Sequence, residues 1–523
     1  MLQRDAYKEL EDTIGPENVS EEQALLDGYA WQPSFSSSPK EKLDIWLWRP
    51  RPEAVVLPGS TEDVQAILKV CNRYKIKFKA MSTGWGAWNS PGTEGVIQID
   101  LRRMNKILEI NEENMYALIE PYVVGAQLQA EAMKKGLTPH IIGAGANTSV
   151  LASSTSMQGY GGTGISTSMS GRNVLGVEWV MPNGDILKLG APGSNAGWFC
   201  GDGPGPSLRG IMRGMFGAAG GLGVFTKCAV KLFHWPVPHE VHVEGLLLDT
   251  MIKIPENIKF YFCFLPSFER FADAAYKIGE AEIGYMLVKQ TIGSTLATMA
   301  PHLLRAIAQN QSIKAALNAF EHIFMFMIAA NSKRDLEYQE KALKKIISET
   351  EGVLITISDM PTTASMALWG SIRSSLTPLA FRYSSSFATT LGSLVAFDNA
   401  VLQSKAASEI KKQFVERGEL FEDLADNPWG GIYEGSTCFG HQEEIAFFDA
   451  HDLKTHKGWY EFEKTCVQAA VDTPMGVGIS ALGKGDIFGP LAGNYHIWQR
   501  KVKKAFDKED LADSTYYITP EEK

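Results

Sequence analysis

An α+β fold in at least two domains is what this 523-residue sequence predicts, on three observations. The chain is too long for one hydrophobic core, since single cores stop growing near about 250–300 residues. From Val55 onward, short apolar strand signals alternate with amphipathic helix signals. Pro236-Val237-Pro238 then punctuates the chain, and beyond it the texture changes to longer helices with interspersed strands.

The elements follow in order. Residues 1–30 are rich in acidic and helix-forming residues and predict one or two N-terminal helices. Val55-Val56-Leu57-Pro58 reads as a short strand. Ser60-Thr61-Glu62-Asp63 has the spacing of a capping box and opens a helix with Val64, Ile67, Leu68 and Cys71 on one face. Strands are predicted over Ile76–Ala80, Val96–Asp100 and Tyr116–Glu120, and a helix over Gly125–Lys135. Val177–Met181 and Ile186–Leu189 flank Pro182-Asn183-Gly184-Asp185, a hairpin signal. A strand over Val224–Phe233 closes this half. Beyond it, helices are predicted over Phe268–Ala281, about Ala297–Ala329, Asp335–Thr350, Asn399–Arg417 and Tyr495–Phe506.

Composition narrows the function. Charged residues make up 21% and hydrophobic residues 45%, an ordinary globular balance. The net charge of −10 argues against a nucleic-acid partner, which needs concentrated basic surface; a local basic patch on an acidic protein is the alternative. Cys71, Cys200, Cys228, Cys263, Cys438 and Cys466 form no CxxC pair, so no iron–sulfur cluster is expected, and such scattered thiols predict a cytoplasmic, reducing setting. The first residues carry no apolar secretory core. The stretch Ala316–Ala330 contains Asn318, Glu321 and His322 and is too short to span a bilayer. It predicts a buried helix, with any membrane attachment made through a partner.

Glycine-rich loops carry the chemistry. Ser82–Trp88 joins a strand to a run of small residues whose amides either form an anion-binding nest or make a plain tight turn. It matches neither the P-loop nor the GxGxxG pattern. Residues 143–171 are Ser/Gly-rich and long for a loop without a role. Gly217–Gly223 precedes a strand and reads as either ligand-lining backbone or a bulged strand start.

In combination these segments resemble the FAD-binding domain of the vanillyl-alcohol oxidase / p-cresol methylhydroxylase (PCMH) family. The resemblance is carried by Arg51-Pro52 through Val64-Gln65-Ala66-Ile67, by Ile99–Ile107, by Ala117-Leu118-Ile119-Glu120-Pro121, by Asn173–Glu178 with Met181–Asp185, and by Gly220–Lys227. It returns in Arg500–Asp507. Tyr122 stands where glycine is usual, and Lys508 where proline is. The resemblance implies a two-part PCMH-type FAD-binding domain over residues 49–236, preceded by an N-terminal helical segment (1–48). An α+β cap over 237–480 and a C-terminal return over 481–523 complete it. It assigns Ser82, Thr83, Gly84, Trp85, Gly86 and Ala87 to the FAD diphosphate. Ser153, Ser154, Thr155, Gly159, Gly162, Thr163, Gly220, Gly221, Gly223 and Val224 would line the remaining cofactor, with Asn494 and Arg500 as contacts from the return.

Departures shape the expected chemistry. The phosphate loop has no histidine for covalent attachment, so noncovalent FAD is expected. Ser153–Gly159 carries no carboxylate where phenol-oxidising relatives place a catalytic aspartate, and no His-x-His metal motif is present. No resident metal is expected; Gly440-His441-Gln442-Glu443-Glu444 reads as a weak metal candidate or a solvated face. Oxidation at a flavin requires a base to take a proton. The candidates are His441, Tyr433, Arg382 and Tyr383, with His140, Tyr160, Tyr495 and His496 behind them. Phe320, Phe324, Met325, Phe326 and Met327 read as helical core or as the wall of a hydrophobic substrate cavity. The resemblance thus implies an FAD-dependent oxidoreductase for a small alcohol or hydroxy acid, passing electrons to oxygen or to a partner electron carrier, with a homo-oligomer as a further possibility. The alternatives are a non-redox FAD enzyme of the alkyl-glycerone-phosphate synthase type, and a flavin-bearing subunit of a larger complex.

Overall fold

A computed structural model describes residues 2–30, 50–84, 89–143, 145–156, 159–190, 197–198, 207–212, 217–218, 220–245, 251–291, 293, 303, 306–307, 309–310, 312–313, 322–373, 387–424, 429–434, 440–449, 452–473 and 485–515.

Two N-terminal helices, α1 (Arg4–Ile14) and α2 (Gln23–Ala30), flank β1 (Val19–Ser20). Then come β2 (Val55–Val56), α3 (Thr61–Tyr74), β3 (Lys77–Met81) and β4 (Val96–Asp100). These strands form one sheet in the order β1-β2-β4-β3, with β2, β4 and β3 parallel. The Ser60 side chain accepts from the Asp63 amide, and Asp63 accepts from the Gly59 amide, so two orphan donors at the start of α3 are satisfied. Val64, Ile67, Leu68 and Cys71 bury their face against Phe78, Ile97 and Ile99, and Ala6, Leu10 and Ile14 of α1 close the same core.

The second sheet is antiparallel, in the order β5-β6-β10-β8-β9. It comprises β5 (Ile107–Asn111), β6 (Tyr116–Ile119), β8 (Val174–Val180), β9 (Ile186–Leu189) and β10 (Val224–Lys231). Between its strands lie α4 (Gly125–Met133), β7 (Leu137–Thr138), α5 (Val150–Thr155) and α6 (Gly164–Thr167). The expected hairpin pairs Val180 with Ile186. Strand β5 is absent from the sequence reading because it is half exposed and lacks clean alternation.

After β11 (Phe233–His234), β12 (Val243–Glu244) and β13 (Met251–Ile252), the cap begins with β14 (Ile258–Leu265), α7 (Phe268–Glu280), β15 (Met286–Gln290) and β16 (His322–Ala329). It continues with α8 (Lys333–Glu349), β17 (Val353–Thr356) and α9 (Pro361–Arg373). Its first sheet runs β15-β16-β14-β17. The helix expected over about Ala297–Ala329, and the buried helix expected over Ala316–Ala330, are corrected over their last residues: 322–329 are a central strand paired on both sides, whereas residues 303, 306–307 and 312–313 are helical. Phe324, Phe326 and Ile328 pack toward α7 and α8, whereas Met327 packs toward α9. A strand covered on both faces is continuously apolar, and periodicity alone cannot separate it from a buried helix. Phe320 lies outside the described residues.

The second cap sheet, β18-β20-β19, consists of β18 (Phe387–Val395), β19 (Trp429–Ile432) and β20 (Gly440–Phe447). Helices α10 (Phe397–Glu416) and α11 (Leu453–Asp472) pack with it. The chain then turns back through α12 (Gly485–Phe488) and α13 (Tyr495–Phe506). Phe506 stacks on Trp179 at 5.5 Å, and Ala512 forms a parallel bridge to Phe78 at the edge of β3.

Candidate functional site

A cleft opens where β3 ends. One wall is Lys79–Gly84 with Asn89 and Leu101. The opposite wall is the start of α5, contributing Thr148, Ser149, Leu151, Ala152, Ser153 and Ser156. Gly220, Gly223 and Phe225 from the approach to β10 form the back, and Ile142 and Gly159 the far end. Ser149 caps α5 by accepting from the Ala152 amide, and its hydroxyl donates to the Pro121 carbonyl. The Ser149 amide donates to Thr83 Oγ1 at 3.1 Å, tying the two walls together.

The back of the cleft is close-fitted main chain. Gly223 has φ +115°, and a Cβ there would stand 2.9 Å from the Trp179 indole nitrogen; Gly220 has φ +75° beside the Lys79 stem. Both φ values lie where side chains are strained, so glycine is required there.

Lys79 is a buried cation in this wall, and its Nζ donates to the Asp513 carbonyl at 3.2 Å. Burial opposes the charged form of the Asp513 carboxyl. The Lys79 ammonium, the Thr515 hydroxyl and the Gly92 amide nevertheless hold that carboxyl below its usual range. Asp507 anchors the same segment, accepting from Lys503 Nζ and from the amides of Leu511 and Ala512.

The cap meets this domain at the turn 159–168. The Leu287 amide donates to the Gly162 carbonyl, the Glu434 amide to the Gly164 carbonyl, and the Ser166 hydroxyl to the Tyr285 carbonyl. Arg172 forms an ion pair with Glu434. Tyr433 is buried in this joint, against Gly164 and with its ring centroid 6.0 Å from that of Tyr160. Tyr160 follows Gly159, which lines the far end of the cleft.

The expected site residues are distributed as follows. Ser82, Thr83, Gly84, Ser153, Gly159, Gly220 and Gly223 come together on the cleft. Trp85, Gly86, Ala87, Arg382 and Tyr383 lie outside the described residues. Ser154 and Thr155 turn away, their hydroxyls donating to the carbonyls of Val150 and Leu151. Gly162 packs against Met286 and Val288, and Thr163 precedes α6. The Gly221 carbonyl accepts from Lys503, and Val224 is buried at the start of β10. Asn494 and Arg500 sit on α13 away from the cleft lining, Arg500 paired with Asp486. His441 belongs to β20, where its backbone pairs with Leu394 and Gly431.

His140 is held between the Thr167 hydroxyl (2.8 Å) and the Gly159 carbonyl (3.1 Å), and burial pushes its imidazole down to about 4. The Gly159 contact requires a proton on Nε2, so Nδ1 accepts from Thr167. This neutral, doubly bonded ring positions the turn. His496 packs against Gly489, and Tyr495 is exposed. Sequence reading missed Lys79, Thr148 and Ser149. A lysine at the strand position facing away from core Phe78 was the available signal for Lys79. Among the described residues, no group of three His, Cys, Asp or Glu side chains could hold a metal ion, and no helix is long and apolar enough to cross a membrane.

The donor set suits FAD: hydroxyls, amides and one lysine serve a diphosphate, while Met81, Leu101, Ile142, Leu151 and Phe225 offer apolar surface to rings. Residues 52–190 match the FAD binding domain family, which makes this part of the chain an FAD-binding domain and FAD its cofactor. Over the whole chain the fold is that of p-cresol methylhydroxylase. The crystal structure of p-cresol methylhydroxylase with substrate bound superposes with a TM-score of 0.77 at 17% identity, covering 98% of this chain and 96% of that one. Glycolate oxidase subunit GlcD of Bacillus subtilis (strain 168) is 27% identical over 261 residues, 49% of either chain. The 4-cresol dehydrogenase [hydroxylating] flavoprotein subunit of Pseudomonas putida is 32% identical over 194 residues, 35% of this chain and 36% of that one. The chain thus spans about half the length, or less, of these two curated relatives.

Proposed function

We propose that this protein is an FAD-dependent oxidoreductase that oxidises a small organic substrate, an alcohol or hydroxy acid. The observation that carries the reading is the hydroxyl- and lysine-lined cleft of the FAD-binding domain, whose lining includes Gly159, the residue before the Tyr160 that neighbours Tyr433 of the cap. When bound, FAD supplies an acceptor for two electrons delivered as hydride. Ser82, Thr83 and Gly84, with the loop that follows them, would hold its diphosphate, and Ser153 and Gly223 would line its path. Lys79 offsets negative charge in the wall, and the Asp513 carbonyl that accepts from it keeps the ammonium oriented.

The substrate side falls to the cap joint. Tyr433 is buried and oriented by packing on Gly164, so its hydroxyl is a candidate to hold or accept the substrate proton as hydride leaves. The docked strands β15 and β19 exclude water there. Relatives are named for glycolate, 4-cresol, D-lactate and D-2-hydroxyglutarate, which supports a small hydroxylated substrate. Electrons would pass to oxygen or to a partner carrier, in a cytoplasmic setting.

The test is an anaerobic absorbance spectrum of the purified protein with a panel of hydroxy acids, alcohols and phenols. A flavin spectrum bleached by one class supports the reading. Failure to take up added FAD, or a flavin that no class reduces, overturns it. Tyr433→Phe is expected to retain FAD while slowing bleaching about 100-fold or more.

A further inference from the structure

The α12–α13 joint is seated on both halves of the molecule, yet its outward face is apolar and basic. Phe488 of α12 is inserted among Phe414, Trp459 and Phe462 of the cap, while Val502 and Phe506 of α13 pack on the core around Trp179. With 100° between successive helical residues, Ile497, Trp498 and Lys501 project opposite the buried Lys503, with Tyr495 and Lys504 at the two flanks of that face. Trp498 is 60% exposed, and Leu491 and Tyr495 before it are exposed to similar degrees. The Lys501 ammonium lies over the Trp498 ring, 4.2 Å from its centroid. Four basic and no acidic side chains fall within α13, although the chain as a whole carries a net charge of −10.

We propose that this face docks the protein on an anionic lipid surface, with Leu491, Tyr495, Ile497 and Trp498 at headgroup depth and Lys501 and Lys504 among the lipid phosphates. Tryptophan and tyrosine beside apolar residues and flanking lysines are the side chains that partition into a membrane interface. A second copy of the chain is disfavoured as the occupant, because a two-fold pairing would bring two lysine-bearing faces together. The acidic remainder of the molecule is repelled by the same lipid, so the charge asymmetry orients the protein with this joint downward. Docking here needs no spanning helix and no partner protein.

The full chain is tested by co-sedimentation with vesicles of phosphatidylcholine alone and of phosphatidylcholine mixed with phosphatidylglycerol. Binding to the mixed vesicles only, weakened by added salt, is expected. Replacing Lys501 or Lys504 by alanine should weaken partitioning about fivefold each. Trp498→Ser should weaken it further while leaving the melting temperature and flavin spectrum in place. Lys504→Glu alone is the fallback should the tryptophan variant misfold. The proposal is overturned if the protein ignores both vesicles, binds both equally, or binds unchanged after Lys504→Glu. Light scattering that shows a dimer split by Trp498→Ser also overturns it, and assigns the face to a second copy.

Discussion

At the residue scale, single side chains hold the cleft in shape without touching a ligand. His140 is the sharpest case, because its two bonds fix the turn that receives the cap. Its folded value near 4 lies below the ordinary histidine value of 6.5. Between those limits the unfolded chain takes up a proton that the folded chain refuses, so acidification destabilises the protein. The contribution is complete above pH 6.5 and falls by about 1.4 kcal/mol per pH unit toward pH 4, about 3 kcal/mol in all. Thermal midpoints across that range should show a flatter pH dependence in His140→Gln than in the wild type; parallel curves would sink the idea. The cleft's hydroxyls show how far single residues can be read from sequence. Ser153, Ser154 and Thr155 look equivalent in a loop. On a helix, however, successive side chains are 100° apart, so Ser153 lines the cleft and its two neighbours do not, although all three hydroxyls bond back to their own turn.

At the scale of elements, local signals decided the outcome wherever one face is buried. The Ser60 cap, the amphipathic α3 and the 182–185 hairpin were legible because their periodicity and turn chemistry are self-contained. Strand β16 was not, since its neighbours β14 and β15 are distant in sequence and cover both its edges. Its aromatic face is held edge-on: Phe324 and Phe326 lie 6.4 Å apart in a T-shaped pair, and Phe271 contacts Phe324 in the same way. Truncating Phe326 to alanine should destabilise the cap by about 3–5 kcal/mol, measured by denaturant unfolding. A loss below about 1 kcal/mol would mean that the strand is not the centre of this core.

For the whole molecule, the FAD-binding domain is assembled from pieces far apart in sequence. The cleft wall formed by β3 adjoins residues 511–513, and Lys503 bonds the Gly221 and Ala512 carbonyls together with Asp507. Asp507→Ala removes the nearer carboxylate of the buried Lys503 ammonium, leaving the longer contact to Asp510 and two carbonyls, and the acceptor for two amides. About 3–5 kcal/mol of stability should be lost, and with it the hold on FAD, read as free flavin fluorescence during titration. Retention of FAD with wild-type affinity would show that the segment only decorates the domain. This long-range closure was legible only through the resemblance of Arg500–Asp507 to a family motif; composition and periodicity carry no information about which edge a returning segment joins.

The bond from Lys79 to Asp513 joins residues 434 positions apart, which sets a clock on synthesis. At about 5–20 residues per second, a ribosome needs roughly 20–90 s to travel from one to the other. Throughout that interval the wall built by β3 waits without its supporting edge, while the cap is translated. Flavin captured early would sit in an unfinished wall and exchange freely.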